Sequence, residues 1–542
     1  MLSAEMQDAT TNSMSLGLSW PDWVVLAVYF GLLLFVGWWA NRRGATDGKD
    51  YFLAARSMPA WAVAFSILST AQSAATFIGV PENSYLRNMT YLATAISPIL
   101  AAWIVQRWFL PRYYALNVAS PYEMLEYRFG RGARVGSSVA YLVGRLLGTG
   151  ARTFIGALPL SLAIFGDVVP WQVCVCIGAI MIVGTLYSLF GGVRSVIWSD
   201  VLQVAVYTGA GVVAAIVLWN KIPLSFDELL TLLSSAPEFK AQANASLPLV
   251  PTGGTIDKLT IIDVSWNRGS AYSLWAALTG LTALYLATMA VDQDLVQRSL
   301  TCKDAKQAGR SVLMGQLLGL PVIFLFLVIG LLLYAYHLVH QSGLPASKNV
   351  FQAFILEQMP PAARGLMIAG VLAIGPIGVN STLNSMASTL MNDWLKLRRG
   401  AANVSGAREV AIGRMLVICC GVALCAVACL CAIWQNVSGI PLLDFAIGIL
   451  SFAYAGLLGV FLCAVFTKRG TSASAIAALV LGAMYIFLTQ KQVLGWIGAQ
   501  MDMKPATDWL GAWAFGWHLL AGTAVSFAAC AAARGRSQQS GT

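Results

Sequence analysis

The chain has 542 residues, 58% hydrophobic and 11% charged, with a formal net charge of +10. Soluble proteins carry about 25% charged residues, so this composition excludes a soluble globular fold. It also excludes a transmembrane barrel, whose strands alternate over about ten residues.

Thirteen apolar stretches follow one another, near 21–40, 59–80, 89–110, 137–165, 170–190, 198–219, 270–292, 312–337, 365–392, 410–433, 440–466, 471–489 and 511–533. A helix needs roughly 20 apolar residues to cross a hydrocarbon core of about 30 Å. In lipid the backbone must satisfy its own hydrogen bonds, which makes such runs helices. The pattern predicts an all-α membrane protein with about 13 transmembrane helices. The first twenty residues are polar, hold no Lys or Arg and present no small-residue cleavage site. They read as an extracytoplasmic N-terminus followed by a retained first helix, not as a secretory leader.

With the N-terminus outside, 22 of the 34 basic residues fall in inner loops, from Arg42 and Arg43 through Arg298 and Lys303 to Arg534 and Arg536. This positive-inside bias predicts an N-out, C-in topology. The basic surplus then faces the cytoplasm and its anionic lipids, so it marks membrane lipid and not nucleic acid as a partner. The expected location is the plasma membrane, in a bacterium the inner membrane. Of the ten cysteines, Cys419, Cys420, Cys425, Cys429 and Cys431 crowd one span. They read as apolar packing residues, because partner loops with metal-ligand spacing are missing.

Two spans carry far more polar groups than an anchor needs. The second holds Ser69, Thr70, Gln72, Ser73 and Thr76, followed by Gly79 and Pro81. The ninth holds Gly375-Pro376, then Asn380, Ser381, Thr382, Asn384, Ser385, Ser388 and Thr389. A single Ser or Thr in a span is ordinarily a packing residue bonded to its own backbone. Two whole helices so enriched predict discontinuous helices of a transporter, in which unwound carbonyls and hydroxyls hold a cation and half-helix N-termini face an anionic solute. Oxygen ligands without a fixed charge suit sodium.

Ionisable groups at depth point the same way. An Arg at mid-membrane costs about 2.5–3.5 kcal/mol on insertion scales and needs a partner. Arg145 and Arg152 lie seven residues apart in the fourth span, on one helix face. Arg145 is within reach of the cytoplasmic end. Arg152 is deeper, and reads either as a ligand for a solute carboxylate or as half of an internal salt bridge. Asp200 opens the sixth span, where an acid is favoured by the helix dipole.

Six segments then resemble, in order, the sodium:solute symporter family, which includes sodium–glucose, proline and sialic-acid transporters. They are DYFLAARS at 50–57, SAATFIGVP at 73–81, SPYEMLEYRFG at 120–130, LYSLFGGVRSVIWSDVLQ at 186–203, DQDLVQR at 292–298 and LNSMASTLMND at 383–393. The resemblance covers roughly residues 20–490. It implies a leucine-transporter fold: a first inverted repeat over 59–219, an extracytoplasmic loop over 220–269, a second repeat over 270–466, peripheral helices at 21–40 and 471–533, and a cytoplasmic tail over 534–542. It also implies alternating access around a site at mid-depth.

The implied sodium site uses backbone carbonyls at Ser69, Gln72 and Ile374. The family's hydroxyl pair falls on Ile377 and Gly378, which have no hydroxyls, so Ser381 and Thr382, about one helical turn on, are the candidate substitutes. A second cation site resembles Asp200 with Asn380 and Ser381, where the acid holds sodium or carries a proton. The candidate solute ligands are Gln72, Ser73, Thr76, Arg152, Asn380 and Asn384. Hydroxyl donors beside a guanidinium suit a carboxylate. The expectation is secondary active symport of a small organic anion with sodium, with no organic cofactor. Proton coupling on the same fold and a transporter-like membrane sensor remain as alternatives. A membrane enzyme does not fit three scattered histidines, and the oligomeric state is open.

Overall fold

A computed structural model describes residues 18–40, 42, 45, 47–72, 74–165, 169–240, 249–340, 350–399, 406–438, 442–501 and 503–534. The polar stretch before residue 18, the tail beyond 534 and Ser73 lie outside the described residues. In chain order the elements are α1 (Trp20–Ala40), α2 (Gly48–Leu53), α3 (Ala60–Ala71), α4 (Ala74–Leu86), α5 (Met89–Ala115), α6 (Pro121–Phe129), α7 (Arg131–Phe165), α8 (Pro170–Lys221) and α9 (Phe226–Ser234). A hairpin of β1 (Ala236–Lys240) and β2 (Val250–Ile256) follows. Then come α10 (Leu274–Ala290), α11 (Gln293–Ser299), α12 (Ala305–Val339), α13 (Val350–Gln358), α14 (Ala363–Thr389) and α15 (Gly406–Ser438). The chain closes with α16 (Leu442–Phe466), α17 (Ser472–Leu488), α18 (Lys491–Gln500), α19 (Lys504–Gly511) and α20 (Phe515–Ala532).

Among the described residues, six helices are long and apolar enough to cross a membrane, and up to nine spans result if each sharply bent pair counts as one. The outer surface is apolar: Leu34 is 69%, Val422 67% and Ile182 61% exposed. In water these side chains would drive aggregation, whereas in lipid they are solvated. Inside, α8 packs along α14, α12 crosses α3 and α4, and α7 lies against α15 and α16.

The helix breaks are chemically specific. Between α3 and α4, Gln72 leaves the helix at φ −84°, ψ 152°, so the polar second span is interrupted where its hydrogen-bonding residues cluster. α10 and α11 meet at a 62° bend, and Asp292 caps the second piece by accepting from the Asp294 N–H at 2.9 Å. Gly192 turns α8 with φ +55°. A Cβ there would stand 2.4 Å from the Tyr51 carbonyl, so only glycine fits both the dihedral and the approach.

Two sequence expectations need correction. The ninth span was expected to break at Gly375-Pro376, yet α14 runs as one helix from Ala363 to Thr389. Its polar groups instead face the interior, where the neighbouring helices supply partners. The fifth and sixth spans meet at the Gly192 kink rather than at a loop, because glycine's positive φ breaks the helix within one residue. The region 220–269 carries a capped helix and an antiparallel hairpin, with Ala236 opposite Ile256 and Lys240 opposite Val250. Ser225 and Glu228 form the reciprocal cap that starts that helix.

Candidate functional site

The middle of the molecule holds a lattice of buried charges. Arg145, on α7, donates to Asp292 at 2.7 Å and lies 3.4 Å from Asp294. Asp294 pairs with Arg298 at 3.3 Å, one helical turn along α11. Arg298 reaches α8 and bonds Asp200 at 3.0 Å. Asp200 also accepts from Ser66 at 2.5 Å, and Tyr454 donates to Asp292 at 2.5 Å. Thr70 bonds Arg298 and Ser381 bonds Asp294. Five ionisable side chains from α7, α8, the α10–α11 corner and α11 are thus paired, the three carboxylates exceeding the two guanidiniums by one. Such pairing is what permits charge in a dry interior.

This lattice explains several sequence features. Arg145 has its partners in Asp292 and Asp294 rather than at the membrane surface. Arg298 was counted among the inner-loop cations, but it is 2% exposed. It is removed from water because Asp200 and Asp294 flank it. Asp200, expected beside Asn380 and Ser381, reaches Ser381 only through the chain Arg298–Asp294. The sequence reading gave Asp292, Asp294, Gln297 and Tyr454 no role. The available signal was two acids and an arginine within seven residues, directly after an apolar run, in a chain with only 24 acids.

Polar contacts extend from the lattice into α14. Gln297 donates to Asn384 Oδ1 at 2.8 Å and to the Phe52 carbonyl at 2.7 Å. Tyr141 donates to Ser385 at 2.7 Å, and Thr149 meets Thr382 at 3.3 Å. Ser188 donates to the Asn380 carbonyl at 3.1 Å. At the break, Tyr207 donates to Gln72 Oε1 at 3.2 Å, while the Gln72 N–H closes α3 on the Leu68 and Ser69 carbonyls. Ser69, Thr70 and Gln72 therefore share a region with Asp200 and Arg298. Ser381, Thr382 and Asn384 line the adjoining face of α14.

Other groups lack partners. Asn380 Oδ1 and Asn384 Nδ2 are buried with no hydrogen bond among the described residues, whereas Ser69 lies against the Asp200 carboxylate. Unmade bonds of this kind cost about 1–3 kcal/mol each, so they mark places where a ligand, an ion or water belongs. Arg152 is the most informative case. It is solvent-exposed and has no ion-pair or hydrogen-bond partner among the described residues. It nevertheless lies within electrostatic range of Arg145, Tyr454, Asp292 and Asp294. The outward stripe of α7 runs through Val139, Val143 and Leu147, whereas Arg152 shares the face of buried Arg145, seven residues away. Arg152 is therefore turned away from the outward stripe and toward the side of the helix that carries Arg145. Thr76 is half-buried on the first turn of α4. The side chains of Ile374, Ile377 and Gly378 lie outside the described residues.

A cavity of about 580 Å³ lies elsewhere, lined by Asp50, Phe52, Arg56, Arg194, Asn392 and Lys396 among others. None of the candidate solute or sodium ligands lines it. Phe52 connects the two regions, since its carbonyl receives the Gln297 bond.

The sodium:solute symporter family model matches residues 51–482. The chain is 26% identical over 463 residues to a sodium/sialic acid symporter of Aliivibrio fischeri, covering 85% of both chains. It is also 26% identical over 501 residues to a sodium-coupled monocarboxylate transporter of Danio rerio, covering 90% of this chain and 73% of the relative. A solved structure of a substrate-bound, outward-open sodium-coupled sialic acid symporter superposes with a TM-score of 0.74 at 22% identity, over 95% of this chain and 97% of that one. The fold is thus the leucine-transporter-like one that the resemblance implied. The match spans the helix break, the charge lattice and α14 together: the chain belongs to the sodium:solute symporter family and is a multi-pass integral membrane protein that carries solutes with sodium.

Proposed function

We propose that the chain is a plasma-membrane symporter that moves a small organic carboxylate with sodium by alternating access. The observation that carries the reading is Arg152, an accessible guanidinium that makes no ion pair or hydrogen bond among the described residues, although Asp292 and Asp294 lie within electrostatic range. A cation in that setting is expensive unless a carboxylate or water meets it. The break between α3 and α4 adds to the case. α3 ends with its carbonyls and α4 begins with its N–H groups at the same point. One helix end therefore attracts a cation and the other an anion. A sodium carboxylate presents both charges.

In this reading Arg152 and Thr76, with Ser73, Gln72, Asn380 and Asn384, hold the solute. The carbonyls of Ser69, Gln72 and Ile374 and the hydroxyls of Ser381 and Thr382 hold sodium. Ser381 is bonded to Asp294, so the ion would take over an oxygen that the lattice now uses. Asp200 is neutralised by Arg298, which favours a structural role for it over a second cation site. The thirteen-span, N-out and C-in topology with two inverted repeats belongs to the same proposal. The shorter apolar helices Pro170–Leu186, Ala363–Ala373 and Ala453–Phe466 supply spans beyond the nine.

Some relatives are named for sialic acid and monocarboxylates, both carboxylates, and others for iodide and glucose. The test is thermal stabilisation of purified protein by sialic acid, lactate, neutral amino acids and glucose, in sodium and in potassium. A ligand of the folded state raises the melting temperature. The expected result is stabilisation by a carboxylate, larger in sodium. Stabilisation by glucose alone overturns the carboxylate, and equal stabilisation in both salts overturns sodium coupling.

A further inference from the structure

The loop over 257–273 inserts one cation into the outer end of α4. Lys258 is 1% exposed. Its ammonium donates to the Tyr85 carbonyl at 2.8 Å, the Arg87 carbonyl at 2.9 Å and the Ser84 carbonyl at 3.3 Å. It also lies 4.0 Å from the centroid of the Tyr334 ring. These carbonyls close α4, where a helix leaves its acceptors unsatisfied and its dipole is negative. Three donors from one side chain satisfy three acceptors, and the ring face adds a cation–π contact. Among the described residues no carboxylate forms an ion pair with Lys258.

The grip is anchored at both ends. The Lys258 N–H donates to the Leu233 carbonyl at 2.9 Å, and α9 buries Leu229 and Leu233 against the core. Tyr334 donates from its hydroxyl to the Pro237 carbonyl at 2.6 Å, which ties α12 to the hairpin. Ser84 donates to the Leu327 carbonyl at 2.7 Å, and a Cβ on Gly330 would meet the Pro81 carbonyl at 2.1 Å. The outer end of α4 is thus clamped between α12 and the loop, while its inner end forms one side of the helix break.

We infer that Lys258 is a positioning residue: its ammonium pins the outer half of the broken helix, and the grip on the ion and solute site loosens when that ammonium loses its proton. This rests on the site reading above, in which α4 borders the bound ion and solute. Burial pushes the Lys258 ammonium down to about 7. Below that pH it has three donors for three carbonyls. Above it the amine has two and turns a lone pair toward the third. The other titratable or charged groups on the packed elements are Glu82, Tyr85 and Arg87 at the end of α4, Tyr334, Tyr336 and His337 on α12, Asp227 and Glu228 on α9, Glu238 and Lys240 on β1, and Asp257 beside Lys258. The His337 ring stacks edge-on against Tyr85 at 6.1 Å, and Asp257 bonds the Leu259 N–H and Thr260.

The experiment measures hydrogen exchange of the peptide covering Ala74–Leu86, corrected for intrinsic rate, in full-length protein at about pH 6 and about pH 8.5. It is paired with the sodium concentration that half-maximally raises the melting temperature. In the wild type, exchange is expected to be roughly tenfold faster at the higher pH, and half-saturating sodium to rise with it. Lys258→Arg keeps its charge throughout, so both readouts flatten across pH. Lys258→Met exchanges fast at both values. If Lys258→Met does not fold, the wild type and Lys258→Arg decide alone. A flat wild-type profile overturns the inference. So does Lys258→Arg following the wild type, or His337→Gln abolishing the pH dependence. Absent sodium stabilisation with the exchange pattern intact breaks the site reading and leaves the pin standing.

Discussion

The charge lattice and the unpaired polar side chains near it are built on opposite rules. In the lattice every ionised group has a counter-ion: Arg145 with Asp292 and Asp294, Arg298 with Asp200 and Asp294. On the facing helices α14 and α7, polar groups stand without hydrogen bonds among the described residues: Asn380 Oδ1, Asn384 Nδ2 and the Arg152 guanidinium. Paired charges fix one geometry, even though Arg298 Nε itself is left without a partner among the described residues. Unpaired groups retain bonding capacity for something that arrives. The difference separates residues that hold helices together from residues that hold cargo, although both sets are polar side chains at membrane depth.

The sharpest way to break this comparison is to unbalance the lattice. Arg298→Ala leaves Asp200 and Asp294 buried without their counter-ion. Removing one partner of a buried pair costs about 3–5 kcal/mol, so a large fall in the melting temperature of detergent-purified protein is expected. A melting temperature equal to wild type would mean that the lattice is not structural. Arg152→Ala should behave in the opposite way. It removes no protein contact, so melting is held, while carboxylate binding loses a charge-assisted hydrogen bond of about 1.5–3 kcal/mol. That is roughly a 10- to 100-fold rise in half-saturating solute, read by uptake into proteoliposomes under a sodium gradient. Destabilisation without a change in half-saturation would move Arg152 into the structural set.

Ser381 and Thr382 sit on the border, bonded to Asp294 and Thr149 and candidates for sodium. Changing both to Ala should raise half-saturating sodium about fivefold, the worth of about 1 kcal/mol of hydroxyl ligation. Solute half-saturation at saturating sodium should change little. If half-saturating sodium stays at the wild-type value, the pair belongs to the lattice alone.

Much of the architecture was legible in the chain because its causes are local. Apolar length marks a span. The crowd of hydroxyls and amides from Ser69 to Thr76 pointed to the break that Gln72 makes. The same reasoning failed for Gly375-Pro376, where α14 stays helical. A polar run signals that partners are needed, and it is silent on whether a backbone break or a neighbouring helix provides them. Arg298 shows the same limit. In sequence it is one more cation beside Lys303 and Lys306, and burial is a property of what folds over it.

Composition and spacing by themselves determined the solvent, the helical class, the polar spans and the pair Arg145 and Arg152 as anomalies to be explained. Only the tertiary structure decided that Arg145 is ion-paired and that Arg152 makes no ion pair among the described residues. Their acids come from a corner almost 150 residues further along the chain, and ion pairing falls off within a few ångströms. Which of two like charges finds a partner is therefore a matter of packing, which no local pattern encodes.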